Sequence, residues 1–193
     1  VSKDGIQWDV LPHPICPSGR GPSVIKYAPS SYCMWANSRP STHHPWPELY
    51  TNIYRFTSTN GIRWDRDKQP ALQPSGAIAS CVYPCVMRHG DAYIMLHGGH
   101  LSDVEFEMFC ATSNNGIDWI PHHDVPLLPA SQLPGAFDGR YTSTPSILCE
   151  EDRLLLYYSA RSRKDTYIDG QGNQRIDTAG IYNAIGVAGL PVQ

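Results

Sequence analysis

One phrase, Ser-x-(Asp/Asn)-Gly-Ile-x-Trp, is written three times in this chain: Ser2 to Trp8, Ser58 to Trp64 and Ser113 to Trp119. The glycines Gly5, Gly61 and Gly116 stand 56 and 55 residues apart, an interval at which chains repeat a whole supersecondary unit. Pro22, Pro84 and Pro145 follow nearly the same period, at 62 and 61 residues, and each opens a strand-like run. The runs are Pro22-Ser-Val-Ile-Lys-Tyr, Pro84-Cys-Val-Met-Arg and Pro145-Ser-Ile-Leu-Cys. Each is followed by a second run after a turn at Ala28-Pro-Ser, His89-Gly-Asp or Glu150-Glu-Asp, which predicts a hairpin.

A third strand follows each hairpin, in Asn52-Ile-Tyr-Arg-Phe-Thr, Glu105-Phe-Glu-Met-Phe-Cys-Ala and Gly180-Ile-Tyr-Asn-Ala-Ile-Gly-Val-Ala. The Trp phrase then supplies a turn and a fourth strand, with Ile and Trp expected on a sheet face. No sustained 3.6-residue apolar pattern competes, so the fold class is all-β. Four-stranded antiparallel units at this spacing predict a β-propeller with about three blades present. The expected layout of this single domain is an outer strand of an incomplete blade over 1–15, blades over 16–74 and 75–130, and over 131–193 a blade lacking its outer strand. Three blades are fewer than a closed ring uses, and open edges invite pairing. A fragment of a larger propeller, or a homo-oligomer formed through blade edges, is therefore expected over a free arc.

Charge and cysteine content narrow the partners. With 15 Lys and Arg against 18 Asp and Glu, the net charge is −3, which offers no broad positive field for nucleic acid or an anionic membrane. No run of about 18 apolar residues is present to cross a membrane, and a soluble chain is expected. Cys16, Cys33, Cys81, Cys85, Cys110 and Cys149 show no CxxC pair, and most lie in apolar runs where a free thiol is a small buried hydrophobe. That usage favours a cytosolic setting. His97-Gly-Gly-His and His43-His44 lack a third ligand at fixed spacing, so neither a metal nor another cofactor is expected.

Gly21-Pro-Ser-Val-Ile-Lys-Tyr, the Trp phrases with their following Pro70-Ala-Leu and Pro126-Leu-Leu, and Pro145-Ser-Ile-Leu with Leu156-Tyr-Tyr-Ser-Ala-Arg resemble a known group. They are similar to the five-bladed propellers of the arabinanase, β-xylosidase and invertase/levansucrase superfamily of glycoside hydrolases. The resemblance covers nearly the whole chain and implies a carbohydrate ligand and carboxylate acid/base chemistry at the mouth of the central funnel. Such chemistry needs two carboxyls about 5–5.5 Å apart for retention or ~6.5–9.5 Å for inversion. A non-catalytic carbohydrate-binding or self-assembling partial propeller stays open beside it, because the first two hairpins begin Arg20-Gly-Pro-Ser and Cys81-Val-Tyr-Pro, without the Asp the superfamily places there.

The third hairpin does carry that carboxylate, in Phe137-Asp-Gly-Arg-Tyr. Asp138 is the leading catalytic candidate, with Arg140 and Tyr141 beside it as substrate-binding residues. Glu48, Glu105 and Glu107 are candidates for the partner acid. His97 and His100 are expected to meet sugar hydroxyls, and Arg39 and Arg161 each follow a second strand, where they would face the funnel. Trp8, Trp64 and Trp119 share one repeat position and are expected in the core between blades. Trp35 and Trp46 stand outside that series and are the ones expected to stack on a sugar ring.

Overall fold

The computed structural model describes residues 2–16, 19–38, 51–101, 106–150, 153–163, 166–176 and 184–191. Every regular element in them is a strand. The first sheet runs β1 (Gly19–Ala28), β2 (Ser31–Ser38), β3 (Asn52–Ser58) and β4 (Asp65–Arg66) in simple sequence order, each pair antiparallel. The second repeats it with β5 (Ser80–His89), β6 (Ala92–His100), β7 (Glu107–Ser113) and β8 (Ile120–His122). The third comprises β9 (Tyr141–Cys149), β10 (Arg153–Arg161) and β13 (Ala184–Pro191), with β10 in the middle. Between β10 and β13 a small hairpin is inserted, β11 (Thr166–Ile168) and β12 (Gln174–Ile176). The first strands β1, β5 and β9 pack side by side and form the inner edge shared by the blades.

The thrice-repeated phrase is a loop that closes on its own side chains. In each copy the Ser hydroxyl accepts the Gly N–H at 2.8–2.9 Å, and the Asp or Asn carboxyl or amide oxygen accepts the next two backbone N–H groups at 2.8–2.9 Å. The indole N–H of Trp8, Trp64 or Trp119 then donates to the carbonyl of its own glycine. Gly5, Gly61 and Gly116 all have φ near +70°, a left-handed conformation that a side chain resists. Every fixed letter of the phrase thus has a local reason. The fourth strand begins only after Trp64 and Trp119, so Ile62 and Ile117 lie outside the sheet and are each 48% exposed instead of packed on its face. The first copy, Ser2 to Trp8, makes the same loop with no strand among residues 2–16, and Trp8 is 66% exposed instead of being core.

The core lies between blades. Cys33, Trp35 and Ile53 of the first sheet, with Leu72 bridged to Ile53 just after it, meet Val86, Tyr93, Met95, Phe109 and Ala111 of the second. Leu96 and Met108 of the second meet Ile147, Leu156 and Tyr158 of the third. Trp35 stands at the centre of the first interface: its indole N–H donates to Gly116 O at 3.3 Å, and its ring meets Trp119 edge-on at 5.9 Å. Gly116 also leaves the space that ring needs, since a Cβ there would stand 3.2 Å from Trp35.

Candidate functional site

The inner strands open with a shared irregularity. Gly21, Tyr83 and Thr144 each precede a proline and each have positive φ, at 61°, 54° and 53°. The pairings of β1 with β2 and of β5 with β6 slip there, between Arg20 and Ser23 and between Val82 and Cys85. A tyrosine and a β-branched threonine in this region cost about 1–3 kcal/mol each, whereas a residue before proline otherwise favours extended conformations of negative φ. For Tyr83 the surrounding structure imposes the conformation. Asn37, fully buried at the end of β2, accepts Tyr83 N–H at 2.9 Å and donates to the carbonyls of Cys81 at 2.7 Å and Asn52 at 3.1 Å.

The kink turns Tyr83 into a row of rings and cations along the starts of the strands. Arg20 donates to the Tyr83 hydroxyl at 3.3 Å and lies 5.2 Å from its ring centre. Tyr83 meets Phe106 at 6.3 Å, Phe106 meets Tyr141 edge-on at 5.4 Å, and His100 lies against Phe106 at 5.3 Å. The Thr142 N–H bond to Phe106 O at 2.9 Å fixes the step from the second blade to the third. Tyr141 is mostly buried with its hydroxyl 3.1 Å from that of Thr144, while Arg20 and His100 are exposed. Arg20, Tyr83 and Phe106 were not among the residues expected from sequence. For Arg20 and Tyr83 the signal was the Gly-Pro, Tyr-Pro and Thr-Pro series at the inner-strand starts; Phe106 lies outside that series.

Asp138 lies three residues ahead of β9, in the loop that Arg163 braces through Gly139 O at 2.7 Å. One Asp138 oxygen accepts the Tyr158 hydroxyl at 3.2 Å, and Phe137 stacks on the Tyr158 ring. Burial, then the Asp138 charge, holds the Tyr158 phenol above its usual range and keeps it a donor. Gly186 on β13 is what lets that ring lie flat over the sheet, because a Cβ there would come within 2.6 Å of three of its atoms. Glu107 accepts the Ala130 N–H at 3.0 Å and so ties the second blade to its outgoing loop. Arg140 joins the same corner through its N–H to Arg161 O at 2.9 Å, and Arg161 itself is buried.

Two expected sugar contacts are corrected. Trp35 is 0% exposed and has no face left for a sugar, because the packing of two blades consumes both sides of its ring. His97 is likewise sealed in the core. Its Nδ1–H donates to Gly98 O at 3.2 Å, its Nε2 lies 3.2 Å from Nε2 of His123, and burial pushes its pKa down to about 3. Of the expected residues, the structure brings His100 and Tyr141 to the aromatic row and gathers Asp138, Arg140 and Arg161 at the entry to β9. Glu48, Glu105, Arg39 and Trp46 lie outside the described residues. The clearest apolar groove is elsewhere: about 500 Å³ lined by Ile15, Val24, Tyr32, Met34, Gly61 and Trp64, on the outer face of the first blade.

No protein-family model matches the chain, and no curated protein matches its sequence. Solved structures match its fold. A family 117 glycoside hydrolase of the marine bacterium Zobellia galactanivorans has TM-score 0.64 at 14% identity, over 91% of this chain and 52% of that one. An N-acetylgalactosamine deacetylase from F. plautii in complex with blood group B trisaccharide has TM-score 0.62 at 18% identity, over 88% and 49%. A thermostable family-43 glycoside hydrolase has TM-score 0.55 at 18% identity, over 74% and 42%. The chain therefore spans about half the length of the structures it matches. By architecture it is a partial β-propeller. More narrowly, its fold is the propeller fold of glycoside hydrolases such as those of families 117 and 43.

Proposed function

We propose that this chain is a carbohydrate-active propeller that holds a glycan along the Arg20–Tyr83–Phe106–Tyr141 row and hydrolyses a glycosidic bond with Asp138 and a second carboxylate. The row is the observation that supports it. Aromatic faces beside exposed cationic and imidazole donors suit the mixed apolar and hydroxyl surface of a sugar. Glu48, Glu105 and Glu107 remain the candidates for the second carboxyl. Release of reducing ends from a panel of glycans is the test, and Asp138→Asn is expected to lower turnover about a hundredfold or more, the usual worth of a general acid or base. Turnover unchanged in that variant removes Asp138 from the reaction.

A second reading, glycan binding without turnover, is favoured by a specific observation. Asp138 and Glu107 both already serve structural hydrogen bonds, to Tyr158 and Ala130. Retention on a glycan array with no hydrolysis supports this reading, and an array with no retained sugar removes both.

We further infer that the chain associates with a second copy of itself, blade face to blade face. The position of Trp35 recurs 61 residues on as Leu96 and 61 further as Tyr157. The first two are 0% and 6% exposed under the next blade, whereas Tyr157 is 39% exposed beside the open Ile185 and Val187. The groove at Tyr32, Met34 and Trp64 repeats the surface that receives Trp35 at Tyr93, Met95 and Trp119. Sedimentation across a range of concentrations is expected to show species heavier than the 21.5 kDa chain. A strictly monomeric mass at every concentration refutes it.

A further inference from the structure

We propose that Cys81, His97 and His123 form a zinc-binding site in the second blade. The three side chains come from separate segments: the start of β5, the middle of β6 and the turn after β8. Their donor atoms nevertheless lie within 4.8 Å of one another. The two imidazole Nε2 atoms are 3.2 Å apart, and Cys81 Sγ is 4.0 Å from His123 Nε2. Tetrahedral zinc, with bonds of about 2.0–2.1 Å to nitrogen and ~2.3 Å to sulfur, places two nitrogens roughly 3.3 Å apart and a nitrogen and sulfur roughly 3.6 Å apart. A movement of a few tenths of an ångström at the thiol meets that geometry on the His123 side.

The outer partners are also in place. A ligating histidine uses its second nitrogen to hold a carbonyl, carboxylate or similar group, which fixes the tautomer and aims the free lone pair. Here His97 Nδ1 donates to Gly98 O at 3.2 Å, and His123 Nδ1 lies 2.7 Å from Ser75 Oγ. The two Nε2 atoms are thereby left facing each other, with Cys81 Sγ 4.0 Å from that of His123. Phe109 closes the site, stacked on His97 at 6.2 Å and edge-on to His123 at 5.9 Å, while the half-buried His123 leaves an entry. A bare hydrogen bond between the imidazoles accounts for the short N–N distance but gives no reason for a third, soft donor to converge on it. One thiolate and two imidazoles select zinc over magnesium or calcium, which take oxygen ligands.

With three protein ligands, a fourth position is left for water, and the ion would pin the turn after β8 to the two strands nearest the funnel. Ser75, in the segment entering the second blade, extends that tie toward the first. The effect sought is therefore structural, and it is independent of any action on sugars.

The full chain, freed of metal by a chelator and returned to buffer, is titrated with cobalt(II) as a spectroscopic probe and then with zinc. Expected are a thiolate-to-cobalt charge-transfer band and intense tetrahedral visible bands at one equivalent, discharged by zinc, and a higher melting temperature with zinc. His123→Ala changes a half-exposed ligand and is expected to weaken zinc binding by more than about tenfold and remove the gain in melting temperature. Cys81→Ser is expected to abolish the charge-transfer band. A wild-type cobalt spectrum without thiolate charge transfer overturns the site, as does unchanged zinc affinity in His123→Ala. These two readings decide the matter even if Cys81→Ser does not fold.

Discussion

Replacing Trp35 by alanine is expected to lower the free energy of unfolding by about 3–5 kcal/mol, the range for deleting a large aromatic from a close-packed core. The indole is completely buried and wedged between the first two blades, where it touches Tyr93, Trp119 and the loop at Gly116. Its removal leaves a cavity at the interface and strips the Gly116 carbonyl of one donor. A β-sheet interface of this kind has few ways to collapse into the gap, because the spacing of the blades is set by the neighbouring contacts of Cys33, Ile53 and Leu72. Denaturant unfolding of Trp35→Ala and Trp35→Phe checks the size and origin of the effect. The phenylalanine variant is expected to recover part of the loss by refilling the volume. Trp8→Ala, which removes an exposed ring, is expected to change stability by less than about 0.5 kcal/mol. A Trp35→Ala loss below about 1 kcal/mol contradicts the packing described.

The contrast between these tryptophans shows what the sequence could and could not say. The period of the phrase revealed the blades, since a repeated 55-residue spacing has few structural solutions. It could not reveal which tryptophan is core. Trp8, Trp64 and Trp119 recur because each closes a loop onto its own glycine, a local hydrogen bond that is satisfied whether or not a neighbouring blade covers the ring. Trp35 has no repeated partner in sequence because its counterparts meet different surroundings: Leu96 fills the interface with the third blade, and Tyr157 lies on an exposed face. Pattern reports what is alike between blades, and an interface between two unlike blades depends on what differs.

The candidate site was legible to a similar depth. Asp138, Arg140 and Tyr141 stand near the beginning of an inner strand, which position along a repeat can indicate. The link from Arg20 through Tyr83 to Phe106 crosses 86 residues of chain and depends on a backbone kink at Tyr83 that the buried Asn37 amide holds. His97 was misplaced for a related reason. It was expected to meet sugar hydroxyls, yet the two glycines after it are close-approach positions: a Cβ on Gly98 would strike Ser143, and one on Gly99 would strike Phe109. They let neighbouring elements close over the histidine.

That enclosure predicts a strong acid sensitivity in the metal-free chain. Burial in the core holds the folded-state pKa of His97 down to about 3, with the nearby His123 lowering it further and the Gly98 carbonyl opposing in part. An unfolded histidine binds its proton near pH 6.5. Between those values the unfolded chain carries a proton at this residue and the folded chain does not, so stability falls as pH falls. The full stability is present above about pH 6.5, and the loss is on the order of 1.4 kcal/mol per pH unit down to about pH 3. The half-buried His123 is shifted downward as well, chiefly by burial, with Asp124 opposing and His122 adding to it, so its contribution has the same sign. Cys81, the remaining titratable group of the cluster, is pushed up to about 12 by burial and stays protonated throughout this window. Chemical denaturation with chelator present, at half-unit steps from pH 7.5 to 4.5, is expected to show wild type declining more steeply than His97→Gln. Parallel profiles would mean that His97 accepts a proton in the folded chain, contrary to the cost of placing a charge on a side chain that is fully buried beside Phe109, Gly98 and His123.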